Sequence, residues 1–92
     1  MEYELYKRIP NALREYRKAR GLSQKEVATE LGLRDNTLVS RWESGESLPS
    51  LVNLFRLSAL YTVPIEALFP GLREAIQGPR QALGRYGTIP NP

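Results

Sequence analysis

Three glycines constrain this chain more than any other feature. Gly21, Gly32 and Gly45 cut the stretch from Pro10 to Ser44 into three short segments, each with apolar residues at helical spacing. A residue without a Cβ enters the left-handed conformation that closes a helix at no steric cost, so each glycine reads as a stop. Helices this short are marginal alone and must share one core.

The segments carry their own start signals. Leu5, Ile9, Leu13 and Tyr16 recur at steps of four, four and three, one face of a helix. Pro10 suits a first turn, so the first helix is expected from about Pro10 to Arg20, with residues 2–9 as a separate turn on the same face. Lys18 and Arg20 fall in its last turn, where the dipole favours cations. Ser23 followed by Glu26 forms a capping box ahead of a helix from Gln24 to Leu31, with Val27, Ala28 and Leu31 inward. After the brief turn Leu33-Arg34, Asp35 is a strong N-cap for a helix over Asn36–Ser44. Val39 and Trp42 point inward there, and Leu38 does so in part. Trp42 reads as core, not as a surface for stacking bases.

Ser50 caps a fourth helix with Leu51, Leu54, Phe55, Leu57, Leu60 and Tyr61 on its apolar side. Pro64 opens a fifth, Ile65 to Phe69, and Pro70-Gly71 breaks it. Leu72 to Ile76 continues as a turn or a further helix, its apolar residues serving either as satellite core or as dimer surface. From Gly78 onward the glycines and prolines predict a mobile tail. That tail holds Arg80, Arg85 and Tyr86, and reads as idle, as an arm along DNA or as a partner-binding segment. No stretch reads as a strand hairpin, and no repeat is visible. The expectation is an all-α, compact five-helix bundle with a possible extra C-terminal helix and a flexible tail. Its divisions are an N-terminal extension (1–9), a central domain (10–70) and a C-terminal extension (71–92), flexible after 78.

Composition removes several classes of chemistry. At 92 residues, one compact core is feasible and a second is not. There is no cysteine and no histidine, so disulfides, thiolate nucleophiles, the usual zinc sites and the commonest acid–base catalyst are absent. The acidic residues are scattered, with no glycine-rich phosphate loop. The reading is therefore no enzyme, no catalytic residues, no metal and no cofactor. The longest apolar runs fall far short of the ~20 residues that cross a bilayer. The acidic start Met1-Glu2-Tyr3-Glu4 lacks the order of a signal peptide, so a cytoplasmic protein is expected. The net charge is +3, and it is uneven: residues 1–25 carry seven basic and three acidic side chains. A basic surface of this kind suits a polyanion.

Two short helices joined by a tight turn are what a helix-turn-helix requires, with the second helix in the major groove. Opposite Val39 and Trp42, the third helix carries Asn36, Thr37, Ser40 and Arg41, amide, hydroxyl and guanidinium groups that the fold does not need. Asparagine matches adenine, arginine matches guanine, and a threonine methyl meets the thymine methyl. Gly21-Leu22-Ser23-Gln24, Val27-Ala28, Leu31-Gly32, Ser40-Arg41-Trp42-Glu43-x-Gly45-x-x-x-Pro49 and Val63-Pro64-Ile65-Glu66-Ala67-Leu68-Phe69 together resemble the phage repressor/Cro-type (XRE) helix-turn-helix domain, over nearly two thirds of the chain. The resemblance implies a lambda-repressor-like bundle, usually a homodimer on a near-palindromic operator. It implies base contacts from Asn36, Thr37, Ser40 and Arg41, and phosphate contacts from the start of the second helix, Ser23, Gln24 and Lys25. Arg34 in the turn joins that phosphate set. It also implies a structural pair between Arg17 and Glu43.

Two features depart from the family's pattern. One extra residue lies between Gly32 and Trp42. Placed in the turn, it keeps Val39 and Trp42 in their i, i+3 relation; placed in the helix, it shifts the base-reading set by one. Glu46 stands where many relatives carry a basic residue for phosphates, and it opposes DNA. The expected function is a sequence-specific DNA-binding regulator, most simply a repressor, with double-stranded DNA and a second copy as partners and no membrane. The alternative is an antitoxin that regulates its own gene and binds a toxin or other protein through the segment from Leu72 onward.

Overall fold

A computed structural model of the chain describes residues 8–77. Most of the N-terminal extension and the whole of the tail after Gln77, including Arg80, Arg85 and Tyr86, lie outside the described residues. Six helices follow one another: α1 (Leu13–Ala19), α2 (Gln24–Glu30), α3 (Thr37–Ser44), α4 (Leu51–Tyr61), α5 (Ile65–Leu68) and α6 (Leu72–Gln77). No strand occurs among the described residues. The bundle is all-helical as the spacing predicts, with α6 as the additional C-terminal helix.

The core is one cluster fed by α1 to α5. Leu13 comes from α1, Val27 and Ala28 from α2, Val39 and Trp42 from α3, Leu57 and Tyr61 from α4, and Leu68 from α5; all are at most 3% exposed. Removal of apolar area from water is the main force holding such a bundle together. Because each helix has few turns, each contributes only one or two fully buried side chains, and stability depends on all of them meeting at one place.

Three expectations change in detail. The first helix begins at Leu13, not Pro10, because the Asn11 carboxamide oxygen accepts the Leu13 N–H at 3.0 Å in an Asx turn that holds the chain out of the helix up to Ala12, the N-cap residue. The third helix begins at Thr37, with Asn36 at the N-cap position and making no side-chain cap. Asp35 still serves as the polar start: its Oδ1 accepts the Thr37 N–H at 2.9 Å, an Asx turn one residue earlier than a cap. The apolar side of α4 is the third. Leu57 and Tyr61 are buried and Leu54 and Leu60 partly so, but Leu51 and Phe55 are 68% and 61% exposed. An eleven-residue helix on the edge of a small bundle buries one stripe, here Leu54, Leu57 and Tyr61, and Leu51 and Phe55 stand outside it.

Candidate nucleic-acid interface

The helix pair α2–α3 is built by short-range bonds. Ser23 Oγ accepts the Glu26 N–H at 3.0 Å, and the Glu26 carboxylate accepts the Ser23 N–H at 2.8 Å, closing both sides of the capping box. Past Gly32, the Leu33 N–H reaches back to the Ala28 carbonyl at 2.8 Å and finishes α2. The turn then runs to Asn36. Hydrogen bonds from the Thr37 backbone N–H and hydroxyl hold the Asp35 carboxyl below its ordinary range. The third helix opens at Thr37 after this turn, and Val39 and Trp42 keep their i, i+3 relation, 1% and 3% exposed.

The end of α3 is held from outside the helix. Gly45 closes it in the left-handed conformation at φ +84°. The Ile9 N–H donates to the Gly45 carbonyl at 2.8 Å, and the Asn11 amide donates to the carbonyls of Trp42 (3.1 Å) and Glu43 (3.4 Å). Residues 9–11 thus satisfy carbonyls that a helix end leaves without partners. A Cβ on residue 45 would lie 2.8 Å from both the Ile9 nitrogen and the Ile9 oxygen, so only glycine fits beneath this strap.

On the inner side of α3, Glu43 is 4% exposed at its side chain and meets Arg17 from α1 twice, Nε to Oε2 at 2.6 Å and Nη2 to Oε1 at 3.2 Å. The third guanidinium nitrogen donates to the Leu22 carbonyl at 2.8 Å, just ahead of α2. The hydrogen bond to Glu43 raises the Arg17 pKa further, outweighing burial, which lowers it. One arginine therefore ties α1, the entry to α2 and the end of α3 into a fixed arrangement. Arg14 reaches the same carboxylate at 3.9 Å from an exposed position. Tyr61 packs near this pair, and burial, with the Glu43 charge assisting, pushes its phenol up to about 12.

The outward side of α3 is different. Asn36, Thr37, Ser40 and Arg41 are all exposed, at positions that share one face of the helix. Arg41 makes no ion pair with Glu46; the bond between these residues is from the Glu46 N–H to the Arg41 carbonyl, 2.9 Å, in the helix end. Lys25 on α2 and Arg34 in the turn are exposed as well, as is Ser23. Gln24 is half-buried and turned inward: Nε2 donates to Glu43 Oε1 at 3.0 Å, and Oε1 accepts from Asn36 Nδ2 at 3.2 Å.

Sequence reasoning missed Asn11 altogether. Its signal is present, an asparagine after Pro10 and just before a helical apolar face, which is the pattern of an N-cap. It also missed the contacts of Gln24, for which no local signal exists.

Two short helices at a tight turn, one braced by capping and the other open on its polar side, define a DNA-binding helix-turn-helix domain. A family model described as helix-turn-helix matches residues 13–68, more than half of the chain. The protein belongs to the XRE-type helix-turn-helix family, a family of DNA-binding regulators and not of catalysts. No curated protein matches it. Among the described residues, no group of acidic side chains could hold a metal ion, and no helix is long and apolar enough to cross a membrane.

Proposed function

We propose that this chain is a sequence-specific transcription regulator, acting as a repressor, in which α3 lies in the major groove. Asn36, Thr37, Ser40 and Arg41 read base edges, and Ser23, Lys25 and Arg34 contact phosphates, while Gln24, expected in the phosphate set, bonds inward to Glu43 and across to Asn36. One observation carries the reading: Val39, Trp42 and Glu43 hold α3 inward while its opposite side presents four polar side chains to solvent. Donors and acceptors in that arrangement match major-groove edges, and fixed cations beside them match the backbone.

The active species in this proposal is a homodimer on a two-fold operator. Leu48, Leu51, Val52 and Phe55 are 49%, 68%, 58% and 61% exposed, and residues 47–55 carry no charge. An uncharged apolar strip is self-complementary across a two-fold axis. Four side chains make a strip small beside the roughly 1,000 Å² of a lasting interface, so the second copy docks when DNA places two monomers side by side.

Selection of bound sites from a random DNA pool tests the proposal, followed by titration of the selected site with salt. The expected result is a two-fold symmetric site whose affinity falls steeply with salt, as released counterions require. Arg41→Ala should relax the base preference at one position of each half-site by roughly tenfold. Recovery of no consensus from the pool, or an Arg41→Ala protein with unchanged preference at every position, rejects it.

A further inference from the structure

We infer that Asn11 is a positioning residue for DNA reading: its carboxamide clamps the closing turn of α3 and so fixes the backbone from which Arg41 reaches its base. The inference rests on α3 being the base-reading helix.

The clamp uses both ends of one amide. Asn11 Oδ1 accepts the Leu13 N–H at 3.0 Å, and Nδ2 donates to the carbonyls of Ile9 (3.0 Å), Trp42 (3.1 Å) and Glu43 (3.4 Å). Carbonyls only accept and a backbone N–H only donates, so the amide has one orientation. Its place is set as firmly. The Ala12 N–H bonds to the Leu68 carbonyl of α5 at 2.8 Å, and Leu13 is buried in the core. The strap is therefore an arm, rooted in α1 and α5, that grips the end of α3.

What it grips is the turn to which Arg41 belongs. The Glu46 N–H closes onto the Arg41 carbonyl at 2.9 Å and the Gly45 N–H onto the Trp42 carbonyl at 3.1 Å, a Schellman pair. The Ser44 hydroxyl donates to the same Arg41 carbonyl at 3.1 Å. Residues 41–46 thus close as one unit. Asn11 takes the Trp42 and Glu43 carbonyls from outside that unit, and the Ile9 N–H takes the Gly45 carbonyl at 2.8 Å. An arginine matches guanine at two atoms only when the backbone beneath it holds still, and order present before DNA arrives lowers the cost of the contact. The opposite end of α3 is held separately, by the Asp35 turn on Thr37. Asn11 also lines a polar cleft with Arg14, Gln24, Ser40 and Ser44, so water satisfies the carbonyls once the amide is gone. Loss of the clamp then costs position more than stability.

The experiment uses the full chain, the DNA site selected from the random pool and that site with each base changed singly. Wild type, Asn11→Asp, Asn11→Ser, Arg41→Ala, Asn36→Ala, Leu57→Ala and the Asn11→Asp/Arg41→Ala pair are compared below the melting range of each. Asn11→Asp keeps the acceptor for Leu13 but has no donor, and sets a negative charge against the negative end of α3. Asn11→Ser keeps a short acceptor and cannot reach α3. Both should reduce the guanine preference that Arg41→Ala removes from roughly tenfold to about threefold or less, with preferences elsewhere intact. The double variant should lose nothing beyond Arg41→Ala at that position. Leu57→Ala, a core lesion far costlier to the fold, should leave the preference unchanged. Without DNA, the Gly45 and Glu46 amides should exchange with solvent faster in both Asn11 variants, while the Glu26 amide of the capping box does not.

Asn11 variants that weaken every site by one common factor, with the guanine preference intact, overturn the inference, as does unchanged exchange at Gly45 and Glu46. A Leu57→Ala protein that loses the same preference overturns it too, since any destabilisation would then suffice. Arg41→Ala with unchanged preferences removes the residue that the clamp serves, and leaves α3 as the reading helix if Asn36→Ala still alters its own position. A wild-type protein that selects no sequence removes base reading itself, and the clamp's role with it.

Discussion

Glu43→Ala removes one half of a pair whose side chains are 10% and 4% exposed, and leaves the Arg17 guanidinium inside the bundle. Breaking a buried pair in this way costs about 3–5 kcal/mol, because the remaining charge has lost both water and partner. Two features place this case at the lower end. Arg17 keeps its bond to the Leu22 carbonyl at 2.8 Å, and the Arg14 contact at 3.9 Å is exposed and worth little. Gln24 Nε2 also loses its acceptor, but Gln24 is only half-buried and water replaces it. A loss of about 3 kcal/mol is a large share of the total for a domain of this size. It corresponds to a fall in melting temperature of about 12–24 °C, read by circular dichroism at the helical band. The apolar replacement Arg17→Met/Glu43→Leu should melt well above Glu43→Ala, since it leaves no buried charge behind. The reasoning fails if Glu43→Ala melts within about 3 °C of wild type, or if the double replacement melts below Glu43→Ala.

Gly45→Ala should destabilise by about 1–3 kcal/mol, from the positive φ and from a Cβ held 2.8 Å from the Ile9 backbone; a chemical denaturation midpoint equal to wild type would contradict it. Leu57→Ala, at a site 1% exposed, should cost about 2–5 kcal/mol, whereas Phe55→Ser, at a site 61% exposed, should stay within about 0.5 kcal/mol; urea unfolding of both distinguishes the buried stripe of α4 from its open side. Tyr61 holds its proton to about pH 12 in the folded protein and to about pH 10 when unfolded, so the folded state binds more protons between these values. Its contribution, about 2–3 kcal/mol, is complete below pH 10 and is lost as pH rises toward 12. Alkaline denaturation of Tyr61→Phe should show a weaker decline across that window than wild type.

The order and type of the elements were legible because their signals are local. A serine and a glutamate three residues on make a capping box wherever they occur, and a glycine closes a helix through its own backbone, as Gly45 does. The inward placement of Val39 and Trp42 follows from spacing alone, and so does the open side of α3 that carries Asn36, Thr37, Ser40 and Arg41. Where local signals compete, boundaries move by a residue or more. Asn11 shortened the first helix, and Asp35 started the third one residue late.

By itself, then, the sequence determined short capped helices, the tight turn between the second and third, and a polar outer side on the third. Only the tertiary structure decided which half of the apolar residues on α4 is covered, that residues 9–11 strap the end of α3, and that Gln24 bridges Glu43 and Asn36. Those outcomes join groups separated by 12 to 36 residues in the chain. Such contacts depend on how whole helices are set against one another, and the packing that sets them is a sum over the entire core, which no local pattern of residues encodes.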